Sequence, residues 1–175
     1  MKKATLQAMC GCVLLAGCAQ TNWQPKLNSD LPVLGHRNWI VVADMAYPKQ
    51  SRPGIETIYS GGSQIDTVKA VMAAVKRAPH VRPIVYLDKE LPSVSDKDAP
   101  GIAAYRKELK AALAGFEVKS EPHEAIIKKL DEAAKTFNIL IIKSDMILPY
   151  TSVFLQLECG YWSADAETRL RKAMK

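Results

Sequence analysis

Cysteine is scarce in this sequence, and its positions limit what it can do. Three of the four cysteines, Cys10, Cys12 and Cys18, lie near the N-terminus, and only Cys159 follows them. A single remaining thiol excludes an intramolecular disulfide in the rest of the chain, and it also excludes a paired-cysteine metal motif. Because Cys159 lies within an apolar pattern typical of a strand, we predict a buried and unreactive thiol there.

The motifs of several large protein classes are also missing. The sequence contains no P-loop, no dinucleotide-binding glycine pattern and no Gly-x-Ser-x-Gly elbow, which argues against the common nucleotide-binding proteins and serine hydrolases. Its three histidines do not have the spacing of a metal site, so neither a metal nor another cofactor is predicted. The 24 basic and 18 acidic residues are interspersed, which predicts a mixed-charge surface and no nucleic-acid partner.

The N-terminal segment has the features of an export signal. Two lysines precede an apolar stretch, Met9–Ala16, that is too short to span a bilayer. Small residues then lead into Cys18, which resembles the bacterial lipoprotein signal; the alternative is an ordinary secretory signal. We predict a signal peptide at 1–17, and lipidated Cys18 with a tether at 18–28. Because Ala19 rather than aspartate follows the cysteine, the resemblance implies an outer-membrane anchor facing the periplasm of a Gram-negative bacterium.

The patterns that follow residue 28 predict one α/β domain. Short apolar runs indicate strands, and apolar residues at every third or fourth position indicate helices. Their alternation favours a single domain at 29–162 with a largely parallel sheet flanked by helices, followed by a C-terminal helix at 163–175. The Pro-, Ser- and Gly-rich segment 46–63 is predicted to be a loop. The predicted strands are 39–44, 82–87, 117–119, 139–142 and 153–158, and the other predicted helices are 64–77, 102–114 and 124–137.

Polar residues at both ends of the first predicted strand are candidates for chemistry. His36 lies in the turn Leu34-Gly35-His36, before the apolar run that Asp44 closes. Histidine can give and take a proton near neutral pH, and open α/β sheets keep their ligand crevices at the carboxyl ends of strands. His36 is therefore a possible proton donor and Asp44 a possible acceptor for ligand hydroxyl groups. The alternative is that the Gly-His turn is only structural.

Two further segments suit recognition of a polyhydroxylated ligand. His123 follows a proline at a predicted helix start, and Tyr150 and Ser152 alternate as the chain enters the strand at 153. A phenol and a hydroxyl on one side of the chain can each donate and accept a hydrogen bond. The alternatives are an exposed capping-region residue for His123 and an ordinary turn with a packed tyrosine. The remaining histidine, His80, is predicted to lie on the surface.

Together these segments resemble the D-ribose pyranase / L-fucose mutarotase (RbsD/FucU-like) family, from about Leu27 to Trp162. The Gly-His turn, the apolar strand and Asp44 are similar to the N-terminal part of that family. His123-Glu124 is similar to the His-Glu of its ribose branch, and Pro149-Tyr150-Thr151-Ser152 resembles its Pro-Tyr-x-Asn turn. The resemblance implies an isomerase that interconverts cyclic forms of a ribose- or fucose-like monosaccharide without a cofactor.

The resemblance also implies a role for each matched residue. His36 would be the catalytic proton donor, Asp44 and His123 would hold sugar hydroxyl groups, and Tyr150 and Ser152 would complete the substrate pocket. In the family the site lies between neighbouring subunits of a ring-like homo-oligomer, so one protomer would hold an incomplete site.

The sequence also departs from the family pattern. Ser152 replaces an asparagine, which removes an amide that donates and accepts at once. Lys143-Ser144-Asp145 stands where the family has Thr-Gly-Glu, and one residue is added before Pro149. These departures keep open a non-catalytic sugar-binding envelope lipoprotein on the same fold, with an envelope scaffold as a third possibility.

Overall fold

The computed structural model of the protein describes residues 23–174, in which six strands and five helices follow one another. The strands are β1 (Trp39–Ala43), β2 (Ile55–Tyr59), β3 (Val81–Asp88), β4 (Glu117–Glu121), β5 (Ile139–Lys143) and β6 (Val153–Cys159). The helices are α1 (Trp23–Asp30), α2 (Gln64–Arg77), α3 (Ile102–Ala112), α4 (His123–Ala133) and α5 (Ala164–Ala173).

The six strands form one sheet in the order β2-β5-β1-β6-β3-β4. Trp39 of β1 pairs in parallel with Ile139 of β5, whereas β6 runs antiparallel to both of its neighbours, β1 and β3. The other five strands are parallel to one another, which confirms the predicted largely parallel α/β sheet. Their C-terminal ends therefore meet at one edge of the sheet, here called the carboxyl edge, and β6 begins at that edge.

Helices cover both faces of the sheet. Ile40 and Val42 of β1 belong to the larger core cluster, on the face that α2 and α3 cover. Val41 belongs to a second cluster that includes Ile126 and Leu130 of α4, on the opposite face. Burial on both faces explains why β1 is an uninterrupted apolar run rather than an alternating pattern.

β2 lies in the segment that was predicted to be a loop. It is an edge strand that pairs with β5 on one side only, and its burial is partial along most of its length. A strand with one neighbour and exposed side chains needs little apolar sequence. Its flanking residues, Pro53-Gly54 before it and Gly61-Gly62 after it, gave the segment a loop-like composition.

The folded domain begins earlier than the sequence predicted. The tether prediction is wrong for residues 23–28, because these residues belong to α1 and the Leu27 side chain is 1% exposed within the larger core cluster. Helix α1 is polar overall, so its pattern gave only a weak helical signal, and its burial depends on contacts with the rest of the domain. The predicted signal peptide and Cys18 lie outside the described residues.

Local sequence sets the bounds of the other helices. α2 begins after Ser63, whose hydroxyl accepts a hydrogen bond from the Asp66 backbone N–H, and it ends with Lys76 and Arg77 where cations favour the helix dipole. Helix α5 occupies the segment predicted as the C-terminal helix and has no buried side chain. Among the described helices, none combines the length and hydrophobicity needed to cross a membrane.

Candidate active site

Asp44, His123 and Tyr150 line one cavity at the carboxyl edge of the sheet. Asp44 directly follows β1, His123 begins α4 just after β4, and Tyr150 lies in the turn that leads into β6. The cavity has a volume of about 420 Å³, which is the size of a small-molecule site. Three of the five predicted site residues of the domain therefore come together, because strand ends at this edge are neighbours. The cavity is also lined by Ala46, Tyr47, Pro48, Gln50, Glu124, Ile127 and Pro149.

The Asp44 carboxylate is held in place by hydrogen bonds on both oxygens. Its Oδ1 accepts from the backbone N–H groups of Ala46, at 2.9 Å, and Tyr47, at 3.1 Å. Its Oδ2 accepts from the Ser152 hydroxyl at 2.8 Å. A carboxylate has about four acceptor sites, so these bonds orient Asp44 and leave capacity for a hydroxyl of a bound ligand.

Ser152 lies behind Asp44 rather than in the cavity wall. It is 2% exposed, and its Oγ also accepts the Asp44 backbone N–H at 3.2 Å. The prediction that Ser152 contacts the ligand is therefore replaced by a positioning role for this residue. The alternation that placed Tyr150 and Ser152 on one side fails because Tyr150 has φ of 58°, in the left-handed region, so the chain is not extended there.

Tyr150 and Tyr47 supply two phenols to the cavity. The ring of Tyr150 meets the ring of His123 edge-on, with centroids 5.8 Å apart, and Tyr150 remains partly exposed. Burial raises the pKa of Tyr47 to about 12, so this phenol is neutral at physiological pH. A neutral phenol both donates and accepts, as recognition of a sugar hydroxyl requires.

His123 is anchored by two acidic residues, one at the end of β3 and one just after it. Its Nδ1 lies 3.1 Å from Oδ2 of Asp88, and its backbone N–H donates to the Glu90 carboxylate. Asp88 ends β3 and is 1% exposed. Burial raises the pKa of Asp88 above its ordinary value, and the neighbouring His123 offsets part of that rise.

His36 lies in a different cavity from the other predicted site residues. It precedes β1 whereas Asp44 follows it, and the five residues of that strand alone span roughly 16 Å. The His36 Nε2 is 2.9 Å from a Glu158 carboxylate oxygen, in a cavity of about 800 Å³ that Lys128 and Phe137 also line. The prediction that His36 and Asp44 flank one strand is confirmed, but within one chain they cannot contact the same monosaccharide.

Asp88 is a site residue that the sequence analysis missed. The reasoning that selected Asp44, a carboxylate closing an apolar strand, applies equally to Asp88 at the end of β3. The predicted strand ends at residue 87, and the sequence pattern assigns Asp88 to the polar loop that follows. Its contact with His123 joins residues 35 positions apart, which no local pattern reveals.

Comparison with solved structures supports the fold. No protein-family model matches the chain, and no curated protein matches it in sequence. Among solved structures, Bacillus subtilis RbsD complexed with D-ribose matches with a TM-score of 0.53 and 19% identity, covering 93% of this chain and 100% of that chain. FucU from Bifidobacterium longum matches with a TM-score of 0.52 and 18% identity, covering 79% and 96% of the two chains.

A third solved structure is similar to the same extent. The fucose mutarotase from Streptococcus pneumoniae in complex with L-fucose matches with a TM-score of 0.50 and 18% identity, covering 79% of this chain and 94% of that chain. These matches span nearly the whole of each known structure. The chain therefore has the single-domain α/β fold of the RbsD and FucU proteins.

Proposed function

We propose that this protein is a monosaccharide mutarotase or pyranase that interconverts the cyclic forms of a free ribose- or fucose-like sugar. The observation that carries the proposal is the convergence of Asp44, His123 and Tyr150 on one cavity at the carboxyl edge. A carboxylate, an imidazole and a phenol suit a polyhydroxylated ligand. Two of the solved structures with this fold are complexes with D-ribose and L-fucose, which supports a monosaccharide as the ligand.

The reaction needs proton transfers and no change of oxidation state. The ring oxygen gains a proton while the anomeric hydroxyl loses one, the ring opens, the C1 carbonyl rotates, and the ring closes on the other face. General acid–base groups contribute about 10²–10⁴-fold to such a step. We assign the ring-oxygen proton to His36, the role that the family resemblance implies for it.

His36 reaches the Asp44 cavity only if it belongs to another copy of the chain. The two residues lie at opposite ends of β1, whereas the family resemblance implies a site shared between subunits of a homo-oligomer. The His36 side chain is 51% exposed and its Nε2 faces Glu158, so a neighbouring subunit has access to an imidazole that is already oriented. A shared site therefore reconciles the predicted residues with the observed geometry.

Exchange spectroscopy on sugar anomers tests this function. The wild-type protein is expected to accelerate the exchange of ribose or fucose forms in saturation-transfer NMR, and His36→Ala is expected to reduce the rate about 10²-fold or more. His80→Gln is the matched control, because the His80 ring is hydrogen-bonded to the Leu31 and Leu34 carbonyl oxygens and lines neither the His36 cavity nor the Asp44 cavity. No acceleration by the wild type, or full acceleration by His36→Ala, contradicts the proposal.

A non-catalytic sugar-binding protein is the second candidate function. The observation that favours it is that a single chain holds Asp44, His123 and Tyr150 together but lacks His36 beside them. A chain that does not oligomerise would bind a sugar without turning it over. Calorimetry that detects saturable binding, together with an exchange rate equal to that in buffer, would favour this candidate.

We also propose that the protein is a lipoprotein anchored through Cys18 to the outer membrane, facing the periplasm. The support is the order of positive residues, short apolar stretch, small residues and cysteine in the sequence. Cys18→Ser is expected to move the protein from the membrane fraction to the soluble periplasmic fraction, since several acyl chains give stable anchoring. A wild-type protein that fractionates as Cys18→Ser does would contradict the anchor.

A further inference from the structure

The contact between Asp88 and His123 differs from the other carboxylate contacts at the carboxyl edge. Oδ2 of Asp88 is 3.1 Å from His123 Nδ1, whereas its Oδ1 is buried and has no hydrogen-bond partner among residues 23–174. Both oxygens of Asp44 are paired, so an unpaired carboxylate oxygen is not a general property of this edge. Leaving a buried carboxylate oxygen unpaired is costly, and a functional role is one explanation for such a group.

The His123 ring is held at one nitrogen and open at the other. An ionised Asp88 can only accept, so it selects the tautomer that carries hydrogen on Nδ1. The side chain of His123 is 32% exposed, and no described residue makes a hydrogen bond to its Nε2. Nε2 is then a lone-pair acceptor on the side of the ring away from Asp88, and His123 lines the cavity.

We propose that Asp88 and His123 form an acid–base dyad, in which Asp88 positions the ring and His123 Nε2 is the base that takes the anomeric proton. This assignment rests on the proposed function, and it gives His123 a catalytic role beyond holding a sugar hydroxyl. It places the base in the same cavity as Asp44 and Tyr150, and it leaves the ring-oxygen proton to His36 of a second copy of this chain.

The proton and electron balance of the step closes. The O1–H proton moves to His123 Nε2, the C1–O1 double bond forms, and the C1–O5 bond breaks with its electron pair going to O5. O5 takes a proton from His36. When the ring closes on the other face of C1, O1 recovers a proton from His123 and O5 returns one to His36, so both imidazoles are reset without a co-reactant.

The charged surroundings of the dyad are mostly acidic. The groups that act on Asp88 are His123 from α4, Glu90 from the segment after β3, and Asp44 from the segment after β1. An imidazolium formed on His123 during the step is therefore stabilised by nearby carboxylates. The phenols of Tyr47 and Tyr105 also face these acids, and burial raises the pKa of both.

The Asp88→Asn substitution tests the dyad, because the asparagine side chain has nearly the same shape as that of aspartate. An amide can donate to Nδ1 and so favours the opposite tautomer, which turns Nε2 from an acceptor into a donor. We expect the ¹⁵N chemical shifts of His123 to show hydrogen on Nδ1 in the wild type and a loss of that preference in the variant. Anomer exchange should fall about 10- to 100-fold, mainly in kcat. Asp165→Asn, at an exposed position of α5, is the control.

Folding of the variant is checked separately. Burial raises the folded-state pKa of Asp88 above its ordinary value of 3.8. The wild-type protein therefore loses stability as pH rises from 3.8 through the raised pKa, because the carboxyl group must then ionise while it is buried. The stability of Asp88→Asn relative to the wild type should therefore increase as pH rises from below 3.8 through the raised pKa, as measured by urea unfolding. If Asp88→Asn fails to fold, His123→Gln is expected to lower exchange at least as much.

The outcomes separate the dyad from the proposed function. The ¹⁵N measurement needs no sugar, so a tautomer that is unchanged in Asp88→Asn overturns the dyad whatever the activity. An exchange rate in a folded Asp88→Asn or His123→Gln within twofold of the wild type also overturns it. A wild type without any anomer exchange overturns the proposed function and the base assignment with it, while a tautomer change in the variant would still support Asp88 as the positioning residue.

Discussion

Chains carrying His36→Ala and chains carrying Asp44→Ala are expected to restore each other's activity when they assemble together. With either variant alone, sugar anomers should exchange at the rate found in buffer, because every site then lacks either the His36 acid or the Asp44 carboxylate. In an equal and random mixture, about a quarter of the sites combine an intact His36 from one chain with an intact Asp44 from its neighbour. The mixed protein should therefore recover about a quarter of wild-type activity.

Co-expression of the two variants with different affinity tags allows oligomers that contain both variants to be isolated. Purification on both tags in turn removes oligomers of one variant alone, so the purified sample should recover at least a quarter of wild-type activity. Light scattering on the same sample reports the size of the mixed oligomers. A mixture of two chains that both carry His36→Ala is the control and should stay inactive. Mixed oligomers without activity, or a wild-type protein that is active as a monomer, would contradict a site shared between copies.

Gln64→Leu is expected to cause a large loss of stability. Gln64 is 1% exposed at the start of α2, where its Nε2 donates to the Val42 carbonyl at 3.1 Å and the Thr151 carbonyl at 2.8 Å. Its Oε1 accepts from the Ser144 hydroxyl. Leucine removes the amide that bonds the Val42 and Thr151 carbonyls and the Ser144 hydroxyl. The free energy of unfolding should therefore fall by about 2–4 kcal/mol in urea titrations.

Tyr105→Phe is the comparison for Gln64→Leu. The Tyr105 hydroxyl donates to the same Thr151 carbonyl at 2.6 Å, and that carbonyl keeps its bond from Gln64 when the hydroxyl is removed. The loss should therefore be smaller, about 1 kcal/mol. If Gln64→Leu lowers the free energy of unfolding no more than Tyr105→Phe does, then the hydrogen bonds of Gln64 do not supply the larger stabilisation predicted for them.

The sequence predicts the elements whose burial makes a strong pattern. β1 and β5 are apolar runs because helices cover both faces of the sheet, and α2 and α4 have apolar residues on one face because the other is exposed. The edge strand β2 and the polar helix α1 escaped prediction, since their positions depend on contacts with distant residues rather than on their own composition. The antiparallel direction of β6 was not predicted either.

Prediction of position succeeded where a residue's place on an element decides which edge of the sheet it lies at. Asp44, His123 and Tyr150 come together because each stands at the end or beginning of an element at the carboxyl edge. It failed for Ser152, which is buried behind Asp44, and for the joint placement of His36 with Asp44 in one chain. Such long-range relations leave no local pattern in a sequence.

The most direct test of the proposed function compares wild-type protein with Asp44→Asn in anomer exchange. The amide has nearly the shape of the carboxylate, so it can keep accepting from Ala46 and Tyr47, but it loses the charge and part of its acceptor capacity. If the proposed function is correct, ribose or fucose forms exchange faster with the wild type than in buffer, and at a rate near that of buffer with Asp44→Asn. Equal exchange by the two proteins, or no acceleration by either, would contradict it.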